Sequence, residues 1–252
     1  MNTGVAQLKA KESYNYYLQP DNYSHASILP IKQKKSITYP ERDGKAMADN
    51  TLQFSWIVKI KEGFEILFEN DPDIFVAGDL LWYPVEGDNK ICAAPDTMIV
   101  FGRPKGYRGS YRTWDEANIN PQVTFEILSP GNTKQEMGKK LQFYEQHKVE
   151  EYYVYDPDHI IFSAWIRSGE KLCAVENTHG WSSPLLNVRF EIINNELQIF
   201  TPDGKKFLSP VEINQRAEAE SKRADAESKR ADAEYQRAEA LSDKLRKLGH
   251  LV

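Results

Sequence analysis

The sequence predicts an α/β fold, with a mixed sheet flanked by helices and a long C-terminal helix. Two stretches, starting near residues 47 and 133, carry apolar residues at helical spacing. Runs of β-branched and aromatic residues between and after them are typical of strands. Beyond residue 210 an Ala-rich seven-residue repeat predicts a separate helix. The predicted core order is α-β-β-β-α-β, followed by further strands.

Composition limits the class of protein. With 252 residues and a hydrophobic fraction of 40%, the chain can form one large domain with appendages. Its net charge of −5 means that contact with nucleic acid requires a local basic patch. The two cysteines are isolated, which favours a reducing compartment and excludes a cysteine zinc cage. Because no apolar run is as long as a membrane span, we expect a cytoplasmic protein without membrane contact.

Three parts of the chain are distinguished by composition. Residues 1–46 are polar and interrupted by prolines, which predicts an irregular N-terminal arm. Residues 47–209 contain the predicted helices and strands of the body. Residues 210–252 form the predicted charged helical tail.

The first helix is predicted over residues 47–70. Its apolar residues recur at helical spacing, at Leu52, Trp56, Ile60, Phe64 and Leu67. Asn50 suits the N-cap position, because its side chain can accept a hydrogen bond from the first turn. We expect this helix to pack on the sheet.

An apolar run over residues 74–85 follows and is interrupted at Gly78, which predicts a strand or a strand pair. Asp79 lies inside this run. Two interpretations of Asp79 stay open: a metal ligand, or a turn residue whose carboxylate accepts hydrogen bonds from nearby backbone N–H groups.

Each of the next two predicted strands carries one carboxylate among apolar residues. Asp96 is the second residue of the run PDTMIVFG, and Glu126 lies within VTFEILSP. A buried carboxylate must be paired, hydrogen-bonded or bound to a cation, because desolvating it alone is costly. Two such carboxylates indicate a shared metal ion. Their hard oxygen atoms favour Mg²⁺ or Mn²⁺.

A basic loop, GRPKGYRGSYR, separates these two strands. It has no acidic residue, and its cations are Arg103, Lys105, Arg108 and Arg112. Arginines interleaved with tyrosines and glycines suit contacts to phosphates and bases. The loop is therefore the predicted DNA contact, although the same pattern also describes an ordinary solvated loop.

The second helix is predicted over residues 133–147. Thr133 and Glu136 form a T-x-x-E capping box, which gives Glu136 a structural role. Glu136 also lies one turn before Lys140, where an ion pair would support the lysine. The apolar stripe of this helix consists of Met137, Leu141 and Tyr144.

Of the adjacent lysines Lys139 and Lys140, only Lys140 is directed toward the predicted strands. Lys140 lies about 60° from Met137 around the helix, whereas Lys139 lies about 160° away and faces solvent. A lysine beside an apolar stripe can also extend its amine to water. The nearby acids Asp96 and Glu126 favour a functional role for Lys140.

These motifs, as an ordered set, resemble the putative restriction endonuclease family of the PD-(D/E)XK nuclease superfamily, which is common in bacteria. The resemblance covers roughly residues 50–170 and depends on PD at Asp96, FEILSP, KLQFY and VEEYYVYDP. It implies a restriction-endonuclease-like fold with Asp96, Glu126 and Lys140 as catalytic residues. Tyr144, of the KLQFY motif, is expected to support them.

One position departs from the superfamily pattern. The superfamily lysine lies two residues after the second acidic residue, where this chain has Leu128. The resemblance therefore implies that the lysine has moved to the following helix, at Lys140.

Further strands are predicted over residues 151–156, 160–167, 187–193 and 196–201, the last two joined by Asn194-Asn195. The tail that follows has a poor coiled-coil seam, because glutamates occupy most d positions of its heptads. Leu241, Leu245, Leu248 and Val252 complete an apolar register only at its end. We interpret the tail as a solvated helix that could pair with a second copy there.

The sequence thus predicts a metal-dependent endonuclease that hydrolyses DNA. Paired carboxylates also serve glycosidases, but that chemistry gives no role to Lys140 or to the basic loop. The five histidines show no ligand spacing, which disfavours a histidine-based metal nuclease. The alternative is a nuclease fold that has lost catalysis and acts as a DNA-binding or scaffolding protein through its tail.

Overall fold

The computed structural model describes residues 37–42, 44 and 46–247. The predicted arm up to residue 36 and the end of the predicted tail, from residue 248, lie outside these described residues.

Three helices and eleven strands make up the described structure. The helices are α1 (Thr51–Leu67), α2 (Lys134–Gln146) and α3 (Pro210–Lys247), with a 3-10 turn at Thr113–Asp115. The first strands are β1 (Ile74–Ala77), β2 (Trp82–Tyr83), β3 (Thr97–Phe101), β4 (Tyr111–Arg112), β5 (Val123–Ile127) and β6 (Glu151–Asp156). The later strands are β7 (Ile161–Ser168), β8 (Lys171–Ala174), β9 (Trp181–Ser182), β10 (Arg189–Ile193) and β11 (Glu196–Phe200).

The main sheet has six strands in the order β1-β3-β5-β6-β7-β8. Its strands pair antiparallel except for β5 and β6, which are parallel and are connected through α2. Strands β9–β11 form a small antiparallel sheet, and β2 pairs with β4 in parallel. The predicted α/β class, with a mixed sheet flanked by helices, is confirmed.

Helix α1 covers one face of the main sheet. It begins where the sequence indicates, because the Asn50 side chain accepts a 2.8 Å hydrogen bond from the Gln53 N–H. Its buried residues Trp56, Ile60 and Phe64 join a core cluster with inward-facing residues of β5 and β6. Burial of these large side chains, at roughly 25 cal/mol per Å² of apolar surface, holds the helix in place.

Helix α2 lies against a second cluster that contains Met98, Val100 and Tyr152. The Thr133 hydroxyl accepts a 3.1 Å hydrogen bond from the Glu136 N–H, as expected for the N-cap. Tyr144 is the one residue of α2 that is fully buried. This helix therefore packs on the sheet mainly through its second half.

Two features differ from the sequence-based predictions. Strands β4, β8 and β9 were not predicted, since each is only two to four residues long. Residues 37–42 have no helix or strand, but they contact the body: the Tyr83 hydroxyl donates to the Pro40 carbonyl at 2.8 Å. The Gly87 N–H likewise donates to the Tyr39 hydroxyl at 2.6 Å.

Helix α3 has 38 residues, which at 1.5 Å per residue corresponds to about 57 Å. The predicted long C-terminal helix is confirmed, and none of its residues is buried. Leu241 and Leu245 are 63% and 38% exposed. In the described ranges, no helix combines the length and the apolar character that crossing a bilayer requires.

Candidate active site

The two predicted acidic residues lie opposite each other. Asp96 directly precedes β3, Glu126 lies in β5, and these strands pair antiparallel with Thr97 opposite Phe125. One step along the same register places Asp96 opposite Glu126. Because directly opposed residues point to the same face of a sheet, both side chains lie on the side covered by α2. Only 8% of Asp96 and 2% of Glu126 are exposed.

Glu126 is held by two side chains of α2. The Lys140 ammonium lies 2.6 Å from Glu126 Oε2, and the Tyr144 hydroxyl donates to Glu126 Oε1 at 2.5 Å. The two partners are four residues apart and so lie on one side of the helix. Both oxygen atoms of the buried carboxylate are therefore hydrogen-bonded.

The environment sets the protonation states of both partners. Burial alone would lower the pKa of Lys140, but the charge and hydrogen bond of Glu126 outweigh it, and the pKa is raised. Burial and the Glu126 charge raise the pKa of Tyr144 well above its usual value. At neutral pH Lys140 is thus a cation and Tyr144 a neutral hydrogen-bond donor.

Asp96 is the acid of the cluster whose ionised form is disfavoured. Its Oδ2 atom accepts a 2.6 Å hydrogen bond from the Ile127 N–H. Burial and then the charge of Glu126 raise the pKa of Asp96 well above its usual value, against the opposing effects of Ile127 and Lys140. Two buried carboxylates at opposed positions on paired strands repel each other, and a cation between them would relieve the repulsion.

A cavity of about 580 Å³ opens beside this cluster. Its charged lining residues are Asp49, Asp79, Asp96, Glu136, Lys139 and Lys140. Asp79 adopts a positive φ of 47°, and its N–H donates to the Pro95 carbonyl at 3.1 Å. Its negative charge also contributes to raising the pKa of Asp96. The structure therefore brings Asp79 to the cavity and also gives it a turn conformation.

The donor set fits a small hard cation. Mg²⁺ commonly binds through one or two carboxylates and keeps several waters, which are replaced in part by substrate phosphates. Asp96 and Glu126 lie opposite each other on paired strands, and Asp96 and Asp79 line the cavity, whereas Glu126 lies behind this lining with Lys140 and Tyr144 as its partners. Among the residues that the structure describes, no three His, Cys, Asp or Glu side chains form a complete ligand group.

Glu136 and Leu128 take different places around the cluster. Glu136 lines the cavity, and its charge helps to raise the pKa of Lys140. Leu128, at the position of the superfamily lysine, packs partly buried against the second core cluster. A side chain at position 128 thus contributes to packing, and the ammonium near Glu126 comes from Lys140 on α2.

The basic loop begins at the other end of β3 from Asp96. Gly102 lies six positions after Asp96, which at about 3.3 Å per residue is roughly 20 Å along the strand. Within the loop, Arg103 and Arg108 both pair with Glu116, at 2.7 and 2.6 Å. Burial would raise the pKa of Glu116, but these two arginines outweigh it and lower the pKa.

The other two cations of the loop also have acidic partners. Lys105 lies 3.1 Å from Glu65, and Arg112 lies 2.9 Å from Asp115. The structure therefore does not bring the loop cations to the Asp96 cavity, and each of them already balances a carboxylate.

Asp49 was not predicted as a site residue. It lines the cavity, and its Oδ2 accepts a 2.5 Å hydrogen bond from the Ser129 hydroxyl. Nearby, the Gln53 side chain donates to the Ile127 carbonyl at 2.8 Å, which ties the start of α1 to the end of β5. The only signal in the sequence is the place of Asp49 immediately before the N-cap.

Comparison with known proteins adds the family. A search of solved structures finds a crystal structure of a putative nuclease belonging to DUF820 from Anabaena variabilis. It is 14% identical, has a TM-score of 0.40, and the match covers 54% of this chain and 72% of that chain. Among curated proteins there is no match. The family model of Uma2, described as putative restriction endonuclease, matches residues 55–192. Because this match spans more than half of the chain, the protein belongs to the Uma2 family of putative restriction endonucleases.

Proposed function

We propose that the protein is an endonuclease that hydrolyses DNA phosphodiester bonds with Mg²⁺ or Mn²⁺ held at Asp96 and Glu126. The observation that carries this proposal is the buried group of two opposed carboxylates with Lys140 2.6 Å from one of them. Membership of a restriction endonuclease family supports the same reaction class.

The side chains of the cluster have distinct tasks in this reaction. A bound divalent ion would polarise the phosphoryl oxygen and lower the pKa of an attacking water. Lys140 stabilises the negative charge that develops on the phosphoryl group, since a fixed ammonium in a partly buried site needs no reorganisation. Tyr144 keeps the Glu126 carboxylate oriented through its 2.5 Å hydrogen bond. The Ile127 N–H does the same for Asp96.

The four cations of the basic loop have two different proposed roles. Lys105 and Arg112 lie in more exposed ion pairs, which a phosphate can replace at little cost. Arg103 and Arg108 are less exposed, and we assign them first to holding the loop through Glu116. Lys139, on the cavity rim, adds a further cation for the phosphate backbone.

A plasmid-nicking assay tests the proposal. We expect nicking with Mg²⁺ or Mn²⁺, none with chelator, and none for Asp96→Asn. Lys140→Ala should lose most cleavage at saturating DNA and metal, because its charge acts on the transition state. Lys139→Ala is the matched control, with a small loss of DNA affinity and an unchanged rate at saturation. Equal rates for the two lysine variants would reject Lys140 as catalytic.

A second candidate function is a nuclease fold that binds DNA without cutting it. It is favoured by the hydrogen bonds of Glu126, because its two carboxylate oxygens are bonded to Lys140 and Tyr144. The fully exposed helix α3 would then serve as the scaffolding element. DNA binding with no nicking under any metal condition would support this alternative.

A further inference from the structure

A second cavity, of about 630 Å³, lies between α2 and the strands β6 and β7. Its volume is within the range of about 300–1,000 Å³ that small-molecule sites occupy. The walls are mainly apolar and aromatic, formed by Leu128, Met137, Leu141, Tyr152, Val154 and Trp165. Polar groups are contributed by Asn132, Thr133, Asp156 and Ser163, with Lys134 beside them. The lining thus combines flat apolar surface with a few hydrogen-bonding groups.

Tyr152 gives the strongest sign of a ligand in this cavity. It is 1% exposed, and within the described part of the chain its hydroxyl has no hydrogen-bond partner. A buried hydroxyl without a partner is unfavourable, so such groups in native proteins usually bond to a ligand or water. The Tyr152 ring stacks on Trp165, with centroids 5.2 Å apart. Trp165 thus presents a partly exposed aromatic ring to the cavity, and the buried Tyr152 ring with its unpaired hydroxyl lies directly behind it.

This cavity is adjacent to the candidate active site. Asn132, in the turn between β5 and α2, lines both cavities. The successive residues Lys140 and Leu141 of α2 line the first and the second cavity respectively. On the paired strands β5 and β6, Thr124 lies opposite Tyr152 and Glu126 lies opposite Val154, so Tyr152 and Glu126 face the same side of the sheet.

We propose that the second cavity receives one nucleobase of the DNA strand held at the Asp96–Glu126 site, with that base turned out of its stack. This inference rests on the proposed function, because the strand must first be held at the adjacent site. A nucleobase is planar and has hydrogen-bonding edges, which suit the partly exposed Trp165 ring and the Ser163 hydroxyl, and a small shift of the wall would bring the unpaired Tyr152 hydroxyl within reach. Lys134 also lines this cavity and supplies a cation for the phosphate backbone of the same strand.

The helix wall of the cavity includes a glycine, which carries no side chain. Gly138 of α2 lines the cavity, and a Cβ atom added there would meet nothing within 4 Å. Packing therefore does not require glycine at this position, although glycine is unfavourable in a helix interior. The missing side chain leaves room for a base to enter between α2 and the sheet.

Binding of single-stranded DNA in chelator tests the proposal without cleavage. One probe is a fluorescent ten-nucleotide strand of mixed sequence, and the other is the same strand with every base replaced by an abasic analogue. The wild-type protein should bind the strand with bases at least about fivefold more tightly, as expected for one stacked base. Ser163→Leu fills the cavity from β7 and should remove this preference while leaving the affinity for the abasic strand unchanged. Gln142→Leu, on the exposed side of α2, is the control and should behave as wild type.

Several outcomes would overturn the inference. Equal affinity of the wild-type protein for both strands would do so, as would an undiminished preference in a folded Ser163→Leu variant. If Ser163→Leu does not fold, Tyr152→Phe takes its place, because it removes only the unpaired hydroxyl and should weaken the preference without lowering the melting temperature. Adenosine alone binding as tightly as the strand would assign the cavity to a free nucleoside instead.

The test also separates this inference from the proposed function. A protein that nicks plasmid but shows no preference for bases contradicts the inference alone. A protein that prefers bases but never nicks contradicts the proposed function alone.

Discussion

Removal of the Lys140 ammonium should destabilise the protein through Glu126. The Glu126 side chain is 2% exposed and that of Lys140 is 24% exposed, so the pair is largely buried. Lys140→Ala leaves a buried carboxylate with only the Tyr144 hydroxyl as partner. Breaking a fully buried pair in this way costs about 3–5 kcal/mol of unfolding free energy.

The partial exposure of Lys140 reduces this cost, because water can reach the site of the missing ammonium. We expect a loss of about 2–3 kcal/mol, which for a domain of this size lowers the melting temperature by about 5–10 °C. The double variant Lys140→Ala/Glu126→Gln should recover most of this loss. Its neutral amide has no charge to desolvate, and its oxygen can still accept from Tyr144.

Thermal and urea melts of the wild type, both single variants and the double variant, all in chelator, measure this coupling. The reasoning is refuted if Lys140→Ala melts within 1 °C of the wild type, or if the double variant is no more stable than Lys140→Ala. Either result would mean that Glu126 is not a buried charge that depends on Lys140. Cleavage by Lys140→Ala has to be measured well below its melting temperature.

Three further predictions concern Asp96, Glu116 and the C-terminal helix. Asp96→Asn should raise the melting temperature in chelator while abolishing nicking, because burial and the Glu126 charge make an ionised Asp96 unfavourable at neutral pH. For Glu116, whose pKa in the folded protein is lowered, the stabilisation is present above about pH 4.5 and is lost as the pH falls further. Melts of Glu116→Gln and wild type should therefore differ at pH 7 and converge in acid, and a constant difference would contradict the ion pairs. Deleting residues 215–252 should change the melting temperature by less than about 2 °C, since no residue of α3 is buried, and a larger loss would show that the tail packs on the body.

The helices could be predicted because their signals are local. The Asn50 and Thr133 caps and the apolar spacing of α1 and α2 depend on residues within a few positions of each other. Lys140 reaches Glu126 because the helical period directs it to the sheet side, so the spacing distinguishes it from Lys139, while the acidic residues of the strands indicate its partner.

Contacts between distant parts of the chain could not be predicted in this way. Glu116 lies 13 residues from Arg103, and no periodic pattern links it to the basic loop. Asp49 reaches Ser129 across 80 residues of sequence. The short strand β4 exists because it pairs with β2, and two residues carry too little pattern to indicate a strand.

The placement of Lys140 on α2 separates the site into parts of different local stability. Strands β3 and β5 lie inside a six-stranded sheet, whereas α2 has Tyr144 as its one fully buried residue. Elements with few buried contacts open at lower free energies than core strands, and amide hydrogen exchange reports such opening. A local opening of α2 would withdraw the ammonium while Asp96 stays beside the sheet. A lysine at position 128 would instead lie next to the end of β5, so it would stay with the acidic residues when α2 opens. In the proposed reaction, cleavage thus depends on the local stability of α2, which has one fully buried residue.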